Sequence, residues 1–378
     1  MRSIRDADIK GKKVFLRVDF NVTMDSGKIV DDNRIKSALP TINYLIEKEA
    51  KVIIGTHLGR PEGSWIPGLS TVPVAQHLAK LLNKKVYVSD HVISQEVTEK
   101  IETMKPGEVL MLGNLRFHQE EEVNNEAFAQ DLAKYADLYV NDAFGVSHRA
   151  NASVEAITRF LPSYSGFLLD AETTTLSLLL KEPVRPFLLI IGGAKIKDKA
   201  ALLKHLVEKA DKVLLGGAVG NTFLSTRGFN ISQSLSDKGM QDKCEEIMEL
   251  YGNKLVLPVD TVRENLEDGS YKMLDIGPKT IEKYKNEIKS ASTIFWNGNL
   301  GYTEDENFAK GTMEIAKAIA ENPNTKVVAG GDTVTFIEKN NLAGSFTFIS
   351  TGGGAAMQYL SGEELPGVTA LDKSMTKE

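Results

Sequence analysis

Arginines and histidines follow several short apolar runs in the first half of the chain. Together with an aspartate and an asparagine, they form a set of polar residues at or near predicted strand ends: Asp19, Asn21, Arg34, His57, Arg60, Arg116, His118, His148 and Arg149. A planar guanidinium pairs well with carboxylate and phosphate oxygens, so several guanidiniums around one cleft suit a small, multiply charged anion. Any one of these arginines alone would more simply be a solvated or ion-paired surface residue. The set as a whole predicts an anion-binding site.

Glycines follow the apolar runs of the second half. The glycine-bearing loops are Gly192–Lys199, Gly216–Ala218, Trp296–Gly301, Gly330–Thr333 and Gly352–Gly354. Glycine lets backbone N–H groups approach a phosphate closely, and the N-terminus of a following helix adds positive potential. Lys195 and Lys199 would balance phosphate charge, and Asp332 could hold a Mg²⁺ that bridges phosphates. Glycines also form tight turns without any ligand, but so many such loops with these side chains favour a nucleotide site.

The remaining motifs argue against several classes of enzyme. Neither the G-x-x-x-x-G-K-[ST] phosphate loop nor the G-x-G-x-x-G dinucleotide fingerprint occurs, which argues against a P-loop nucleotidase and a standard dehydrogenase. No Ser-His-Asp or Cys-His arrangement stands out. Cys244 is the single cysteine, so an intramolecular disulfide and a cysteine-based metal site are excluded. We expect it to be a buried thiol in a helix over residues 240–250.

Composition indicates a globular protein larger than one ordinary domain. The chain has 378 residues, of which 42% are hydrophobic and 25% are charged, and its formal net charge is -6. This length predicts two domains. An acidic protein is a poor partner for nucleic acid, so an anion site must gather its cations locally. No apolar run reaches the ~18 residues of a membrane span, and the N-terminus lacks the apolar core of a signal peptide, so we expect a cytoplasmic protein.

Short apolar runs alternate with longer amphipathic stretches along the whole chain. Predicted strands in the first half cover residues 13–19, 52–56, 85–88, 109–112 and 138–141. Predicted strands in the second half cover residues 187–191, 212–215, 255–257, 293–296, 326–328 and 346–349. Helical patterns lie between them, for example at 35–48, 72–82 and 125–135, the last with Asn124 or Asn125 as N-cap. This alternation predicts an α/β fold with two Rossmann-like lobes, each a parallel β-sheet flanked by helices.

A helical pattern at residues 167–180 lies between the two halves, and Pro183 and Pro186 would end it. We expect it to be an interdomain helix that joins two separately cored lobes. The predicted boundaries are 1–166 for the first lobe, 167–182 for the helix, 183–358 for the second lobe and 359–378 for a C-terminal tail. The tail is too short to form a domain and must pack back on the rest of the chain.

The predicted layout puts an anion site on one lobe and a nucleotide site on the other. Phosphoryl transfer requires donor and acceptor in line with water excluded, so the lobes would have to close by a hinge motion. Lys195 and an arginine from the opposite lobe would then flank the moving phosphoryl group. An acceptor carboxylate is already nucleophilic at neutral pH, so no general base is required.

These residues lie in motifs that resemble those of the phosphoglycerate kinases, in family order from Lys12 to Leu371. The first-half motifs are Arg17-Val18-Asp19-Phe20-Asn21, His57-Leu58-Gly59-Arg60-Pro61, Asn114-Leu115-Arg116-Phe117 and Asn141-Asp142-Ala143-Phe144 with His148-Arg149. The second-half motifs are Gly192-Gly193-Ala194-Lys195 with Asp198-Lys199, Gly330-Gly331-Asp332-Thr333 and Ser350-Thr351-Gly352-Gly353-Gly354. Matches of this length and number are specific.

The resemblance implies the reversible reaction of 1,3-bisphosphoglycerate and Mg-ADP to 3-phosphoglycerate and Mg-ATP in glycolysis. It implies an enzyme that is usually monomeric, with the C-terminal tail packed on the first lobe. Phosphoglycerate would be held by Asp19, Asn21, Arg34, His57, Arg60, Arg116 and Arg149. The nucleotide would contact Gly193, Lys195, Lys199, Gly216, Gly217, Asn297, Gly301, Glu304, Gly330, Gly331, Asp332 and Thr333. Of these, Glu304 would bind the ribose and Asp332 the metal. The transferring phosphoryl group would be stabilised by Arg34 and Lys195, with Gly353 at a helix N-terminus that faces it.

The sequence departs from the family pattern around the nucleotide. Asn299 stands where the family usually has the proline of Trp-Asn-Gly-Pro, which removes a fixed φ and adds a backbone donor. Ala218 and Ala329 stand where glycine is typical, so the backbone approach to the base is tighter. Asn151 replaces a histidine that often follows His148-Arg149, and the segment after Cys244 is shortened. These departures leave the choice between ATP and GTP open and do not touch the phosphoryl-transfer residues.

Two alternatives stay open on the sequence. A kinase for another phosphorylated carboxylic acid would use the same arginines. A non-catalytic nucleotide-binding or scaffold protein on a decayed kinase fold would be expected to lose residues at the chemical centre. Arg34, Lys195, Lys199 and Asp332 are all present, so the scaffold is supported by the change at Asn299 alone.

Overall fold

The computed structural model describes residues 1–25, 27–194, 197 and 199–374. Residue contacts divide the chain into two compact units. Unit 1 is Met1–Thr174 with the chain from Glu364 onward, and unit 2 is Thr175–Glu363. The lobe boundaries that the sequence predicts at 166, 182 and 358 stay predictions. Among the described residues, no helix combines the length and the apolar character that crossing a membrane requires.

Unit 1 is built on a six-stranded parallel sheet in the order β5-β6-β4-β1-β7-β8. The strands are β1 (Lys13–Val18), β2 (Met24–Asp25), β3 (Lys28–Ile29), β4 (Lys51–Gly55), β5 (Val86–Val88), β6 (Val109–Met111), β7 (Leu138–Asp142) and β8 (Ser163–Ser165), of which β2 and β3 form a separate hairpin. The helices are α1 (Asn33–Glu47), α2 (Val72–Leu82), α3 (Gln95–Thr103), α4 (Gln119–Glu122), α5 (Glu126–Ala133) and α6 (Phe167–Lys181). The boundary between the units falls within α6.

Apolar runs form the central strands of unit 1 because both faces of the sheet are covered. Val14 and Leu16 of β1 are fully buried, and Val14 pairs with Val52 on one side and Leu138 on the other. The predicted strands of this half are confirmed to within one residue at each end. β8 was not predicted, because Ser163-Tyr164-Ser165 contains no apolar run, although it pairs with β7.

Unit 2 carries a second six-stranded parallel sheet in the order β11-β10-β9-β14-β15-β16. The strands are β9 (Phe187–Ile191), β10 (Lys212–Leu215), β11 (Leu255–Val256), β12 (Thr261–Asn265), β13 (Tyr271–Ile276), β14 (Thr293–Asn297), β15 (Thr325–Val328) and β16 (Phe348–Ile349). The helices are α7 (Ala200–Val207), α8 (Gly217–Thr226), α9 (Gln241–Tyr251), α10 (Pro278–Ser290), α11 (Lys310–Glu321), α12 (Gly331–Lys339) and α13 (Gly354–Leu360), and α14 (Pro366–Ser374) lies in unit 1. The predicted α/β fold with two parallel sheets is confirmed.

An antiparallel hairpin of β12 and β13 was missed by the sequence analysis. Its connection contains Asp268-Gly269, and Gly269 has a φ of +81°. Asp-Gly between two strand-like runs is a recognised hairpin signal, so the sequence did contain the information. The register shifts between Val262 and Arg263, which interrupts the alternation of side chains that would have marked a strand.

Two local predictions are confirmed. Asn125 is the N-cap of α5, because its side chain accepts a hydrogen bond from Phe128 N at 2.9 Å. Cys244 is buried within α9. Burial raises the pKa of its thiol to about 11, so the thiol stays protonated near neutral pH and packs as a small apolar group.

The start of α6 depends on Asp142, the buried last residue of β7. Its Oδ1 accepts hydrogen bonds from Leu168 N at 2.8 Å and Leu169 N at 3.2 Å. These are first-turn N–H groups with no partner inside the helix, so a carboxylate is well placed to satisfy them. Gly166 lies so close that a Cβ there would come within 2.2 Å of the same oxygen.

We expect Gly166→Ala to lower the free energy of unfolding of unit 1 by about 1–3 kcal/mol, the range of overpacked sites. The Asp142 carboxylate cannot retreat from the added methyl group without losing its two backbone donors. A lower urea midpoint would show the effect. Gly68→Ala is the matched control, since nothing lies within 4 Å of a Cβ at that position. Equal midpoints for the two variants would contradict this account.

Candidate functional site

The polar residues predicted in the first half follow the carboxyl ends of four adjacent strands of unit 1. Asp19 follows β1, His57 follows β4, Arg116 follows β6 and Arg149 follows β7. Since β6, β4, β1 and β7 are neighbours in a parallel sheet, these loops share one edge, where ligands bind in open α/β sheets. Arg34 joins them from the first turn of α1. We call these residues, with Asn21 and Arg60, the cationic rim.

Asp19 is the acceptor at the centre of the cationic rim. Its Oδ2 accepts from Arg34 Nη1 at 2.5 Å, and its Oδ1 accepts from Asn21 N at 3.2 Å and lies 4.0 Å from His57 Nδ1. The side chain of Asn21 ties the β1 loop to the β4 loop, because its Oδ1 accepts from Gly59 N at 2.8 Å. The structure therefore brings Asp19, Asn21, Arg34 and His57 together.

Arg116, a member of the cationic rim, is held in place by a backbone carbonyl and a carboxylate. It is buried, its Nη1 donates to Gly59 O at 3.0 Å, and its Nε lies 3.3 Å from Glu122 Oε1. Burial lowers the pKa of Arg116, and Glu122 opposes that shift more than any other neighbour. The guanidinium is thus fixed in direction, with one carboxylate offsetting part of its charge.

The other predicted side chains differ in their contacts. Arg60 is exposed and makes no hydrogen bond or ion pair with any residue that the structure describes. Arg149 is half-buried, and its Nε donates to His148 Nε2 at 3.3 Å. His118 packs against the ring of Phe128, with centroids 5.0 Å apart. A packing role accounts for His118, which we leave out of the candidate site.

Sequence analysis missed a buried ionic network beneath the cationic rim. Arg17 and Glu121 are fully buried, with Arg17 Nη2 3.7 Å from Glu121 Oε1. Ser153 joins them, since its Oγ accepts from Arg17 Nε at 2.8 Å and donates to Glu121 Oε1 at 2.6 Å. An arginine inside the apolar run Val14-Phe15-Leu16-Arg17-Val18 was the available signal, because a charge in a two-sided buried strand must have a partner.

Glycine loops of unit 2 interlock through the backbone at the corresponding edge of the second sheet. Gly193 N donates to Asn299 O at 2.7 Å, and Gly217 N donates to Leu300 O at 3.0 Å. Gly298 has a φ of +93°, and a Cβ there would lie 2.3 Å from Gly192 O. A side chain at residue 298 is therefore excluded both by backbone conformation and by the approach of the neighbouring loop.

A cavity of about 220 Å³ opens beside these loops. Its lining residues are Gly193, Ala194, Gly217, Ala218, Asn221, Leu235, Met273, Leu274, Asn299, Gly301, Tyr302, Thr303, Glu304 and Asp332. The apolar part of this lining suits a nucleobase, and the glycine backbone suits phosphates. The cavity thus brings together five predicted nucleotide residues: Gly193, Gly217, Gly301, Glu304 and Asp332. Sequence analysis missed Asn221, Leu235, Met273 and Leu274, since the last two lie on the unpredicted hairpin and the others carried no loop motif.

The other predicted nucleotide residues that the structure describes lie in or beside the loops and do not line this cavity. Gly298 N donates to Thr333 Oγ1 at 2.7 Å, and Asn297 Nδ2 donates to Ala329 O at 2.7 Å. Three more, Gly216, Gly330 and Gly331, lie where a sheet strand is followed by a loop or a helix. Lys199 precedes α7 and donates from Nζ to Gly192 O. Lys195 lies outside the described residues.

Gly353 and Asp332 occupy helix starts. Gly353 is the residue before α13, with a φ of +50°. Asp332 is exposed in the first turn of α12 and faces the cavity. Among the described residues, no three potential metal-binding His, Cys, Asp or Glu side chains cluster. A Mg²⁺ shared with phosphates needs only one or two carboxylates, so Asp332 fits such an ion.

Asp275 positions the loop that carries Gly301 and Glu304. It is buried, and its carboxylate accepts from Gly311 N at 2.6 Å and Ile276 N at 2.9 Å. A Cβ at Gly301 would lie 2.2 Å from Asp275 Oδ1, so the loop packs directly on this carboxylate. Burial raises the pKa of Asp275 to about 6 against those backbone donors.

Two parallel-sheet units, one with a cationic rim and the other with a glycine-lined cavity, would suit an enzyme that binds two phosphorylated ligands. A family model described as phosphoglycerate kinase matches residues 4–363. Curated phosphoglycerate kinases from Coprothermobacter proteolyticus and Dictyoglomus turgidum are 43% and 45% identical to this chain, over 98% and 97% of both partners. The chain belongs to the phosphoglycerate kinase family, which is a family of phosphotransferases. The resemblance found in the sequence is confirmed.

Solved structures agree with this assignment. A phosphoglycerate kinase from Coxiella burnetii superposes with a TM-score of 0.89 at 35% identity, covering 98% of each chain. One from Pyrococcus horikoshii superposes with a TM-score of 0.88 at 35% identity, covering 100% of each chain. The likeness therefore extends over both units.

We expect Asp275→Asn to change how stability depends on pH. An aspartate whose pKa is raised in the folded state stabilises most below its unfolded pKa near 4, and that contribution is lost as the pH rises through about 6. The wild type should therefore lose about 2 kcal/mol relative to Asp275→Asn between about pH 4.5 and 7.5. Urea unfolding across this range measures the difference.

Asp268→Asn is the control for this experiment. Asp268 is an exposed aspartate of the same hairpin, and hydrogen bonds from Ser270 lower its pKa. Its replacement should leave the stability difference nearly constant over this pH range, because a lowered aspartate pKa changes stability only at and below the unfolded pKa near 4. A pH-independent difference between the wild type and Asp275→Asn would sink the assignment of a raised pKa.

Proposed function

We propose that this chain catalyses reversible phosphoryl transfer between 1,3-bisphosphoglycerate and ADP, giving 3-phosphoglycerate and ATP. The cationic rim is the observation that carries the proposal. Arg34 and His57 approach Asp19 from different elements, and Asn21 and Arg116 meet at Gly59. Such a set offers several donors and one acceptor at a single sheet edge, which complements an acid that bears a phosphate, a carboxylate and a hydroxyl group.

In this proposal the phosphoglycerate is held by Asp19, Asn21, Arg34, His57, Arg60, Arg116 and Arg149. The guanidiniums take the phosphate and carboxylate oxygens, because they are permanent cations with several fixed donors. Asp19 is the natural partner for the substrate hydroxyl, since the other side chains of the set mainly donate. Arg60 is exposed and would become ordered by the ligand.

The nucleotide is assigned to the cavity and glycine loops of unit 2. Its base and ribose would lie against the cavity walls, with Glu304 on the ribose hydroxyls. Its phosphates would meet the loops at Gly193, Gly217 and Gly330, with Lys199 nearby. Mg²⁺ would be held by Asp332 together with the phosphates and would offset their negative charge.

The transfer step follows from the chemistry of the two ligands. The acceptor carboxylate is ionised at neutral pH, so catalysis consists of alignment and charge stabilisation and requires no general base. We propose that the units close during turnover, so that Arg34 and Lys195 act on the same phosphoryl group. Gly353 would contribute a backbone donor to that group.

We also propose that the protein works as a cytoplasmic monomer and binds small molecules only. The net charge of -6 supports the absence of nucleic-acid partners. An elution volume in gel filtration that corresponds to a dimer would contradict the monomer.

The proposed reaction is tested by a coupled assay with 3-phosphoglycerate and Mg-ATP on the purified chain. We expect turnover with 3-phosphoglycerate and no comparable turnover with other phosphorylated carboxylic acids. Activity on a different acid alone would favour the rival kinase, and nucleotide binding without any turnover would favour the scaffold. Running ATP beside GTP resolves the base preference that Asn299, Ala218 and Ala329 leave open.

Arg34→Ala and Lys195→Ala should each reduce kcat by roughly 100-fold or more, with smaller effects on KM, because each would remove a donor that acts in the transition state. If closure brings both to one phosphoryl group, the double variant should lose less than the product of the single losses. Near-normal kcat in either single variant would show that the transfer residues are assigned wrongly. Strictly multiplicative losses would argue against joint action.

A further inference from the structure

We propose that His57 is held as the neutral imidazole with its proton on Nε2, and that Arg17 is the positioning residue that fixes this tautomer. Glu121 and Ser153 hold Arg17 in place. The site then contains an uncharged imidazole N–H donor among its guanidiniums. The kinetic consequence rests on the proposed function, whereas the tautomer itself is a property of the unliganded protein.

The first step is the contact between Arg17 and His57. Arg17 Nη2 lies 3.4 Å from His57 Nδ1, and both side chains are buried. A guanidinium has only donors and keeps its proton under all ordinary conditions. His57 Nδ1 must therefore be the acceptor and carry no proton. A neutral imidazole with a bare Nδ1 has its proton on Nε2.

The second step is the charge around His57. Burial lowers the pKa of His57 well below its usual value, and Arg17, Arg116, Arg34 and Arg149 lower it further. Asp19 is the carboxylate that faces it, with Oδ1 at 4.0 Å from Nδ1. That carboxylate is already engaged by Arg34 Nη1 and Asn21 N. A second proton on the imidazole would therefore lie near four guanidiniums and only one carboxylate, which already accepts hydrogen bonds from other groups.

The third step is that Arg17 cannot turn away. Its Nε donates to Ser153 Oγ, its Nη1 donates to Val18 O, and Nη2 faces both Glu121 and His57. Glu121 is fixed in turn, because Ser153 donates to it from Oγ at 2.6 Å and from its backbone N at 2.9 Å. These contacts hold the guanidinium of Arg17 in the orientation that points its Nη2 at His57 Nδ1.

His148 provides a contrast within the same site. Arg149 Nε donates to His148 Nε2 at 3.3 Å, so here the other ring nitrogen is the acceptor. Burial and Arg149 lower the pKa of His148. By the same reasoning a neutral His148 carries its proton on Nδ1. The two histidines are thus fixed in opposite tautomers, each by an arginine.

The proton of His57 is available to a ligand. His57 Nε2 makes no hydrogen bond to the described residues, and it is not fully shielded from solvent. It therefore presents a donor from the cationic rim without adding a charge to it. A phosphate or carboxylate oxygen of the proposed substrate is the fitting acceptor.

The test is a long-range ¹H–¹⁵N correlation spectrum of the unliganded full-length chain at about pH 7, with ¹⁵N-labelled histidine. The chain has six histidines, and His57→Gln and His148→Gln assign the two of interest. We expect a pyridine-type Nδ1 and a pyrrole-type Nε2 for His57, and the reverse pattern for His148. A doubly protonated His57, a proton on Nδ1, or averaged nitrogens would overturn the proposal.

The role of Arg17 is tested by the double variant Arg17→Met, Glu121→Gln, which removes both charges and leaves neither one buried alone. We expect the His57 proton to move toward Nδ1, where Asp19 can accept it, or to average over both nitrogens. The His148 pattern should stay unchanged as an internal control. An unchanged His57 pattern in the folded double variant would refute the role of Arg17.

Kinetics separate positioning from a general loss of structure. The double variant should raise KM for 3-phosphoglycerate by about tenfold, the scale of one hydrogen bond to a charged ligand, while KM for ATP stays near the wild-type value. Equal increases in both KM values would instead indicate general damage and would count against the proposal. If the double variant does not fold, the wild-type spectrum still decides the tautomer. Ser153→Ala, which removes one hydrogen-bond acceptor of Arg17, is then the milder variant that tests the role of Arg17. A wild type that does not turn over 3-phosphoglycerate would end the proposed function without affecting the spectrum.

Discussion

Cations gathered to bind an anion repel one another before the anion arrives. Two unit charges 4 Å apart near a protein surface interact by about 4 kcal/mol, so a group of bare guanidiniums at one sheet edge would push its own loops apart. In unit 1 two rim arginines and the buried arginine beneath them each have a local counter-charge. Asp19 faces Arg34, Glu122 faces Arg116, and Glu121 faces Arg17 from within the core. Arg60 is left to water. The carboxylates are as much a part of the proposed anion site as the arginines.

Unit 2 meets a different constraint, because its glycine loops present neutral backbone N–H groups rather than a cluster of guanidiniums. N–H groups do not repel one another at long range, so its loops can interlock closely, as Gly193 does with Asn299. The limit is steric. Gly192 and Gly298 approach so closely that a Cβ on either would overlap with the other loop. Mutations at the two candidate sites should therefore fail mainly for different reasons, electrostatic at the cationic rim of unit 1 and steric at the glycine loops of unit 2.

The sequence predicted the fold class and most strands because a parallel sheet buries both faces of its strands, which leaves a local apolar signal. It also located the loops of both candidate sites, because ligands of open α/β sheets bind at the carboxyl ends of the strands. It could not give the network beneath the cationic rim, since Arg17 and Ser153 are separated by 136 residues. β8 lacked an apolar run, and the bulge at Val262 hid one strand of the hairpin. The individual roles of the site residues stay predictions.

The counter-charges also bear on how tightly the site can hold its ligand. Arg34 already donates to Asp19, so a bound phosphate or carboxylate gains only the difference between its own interaction and the one that it replaces or shares. A preorganised but partly satisfied cation therefore binds more weakly than its charge suggests, while keeping its direction. For a reversible transfer this is useful, because both the acyl phosphate and the acid must leave as readily as they enter. A site that bound its ground states as strongly as bare arginines allow would lower KM without raising kcat.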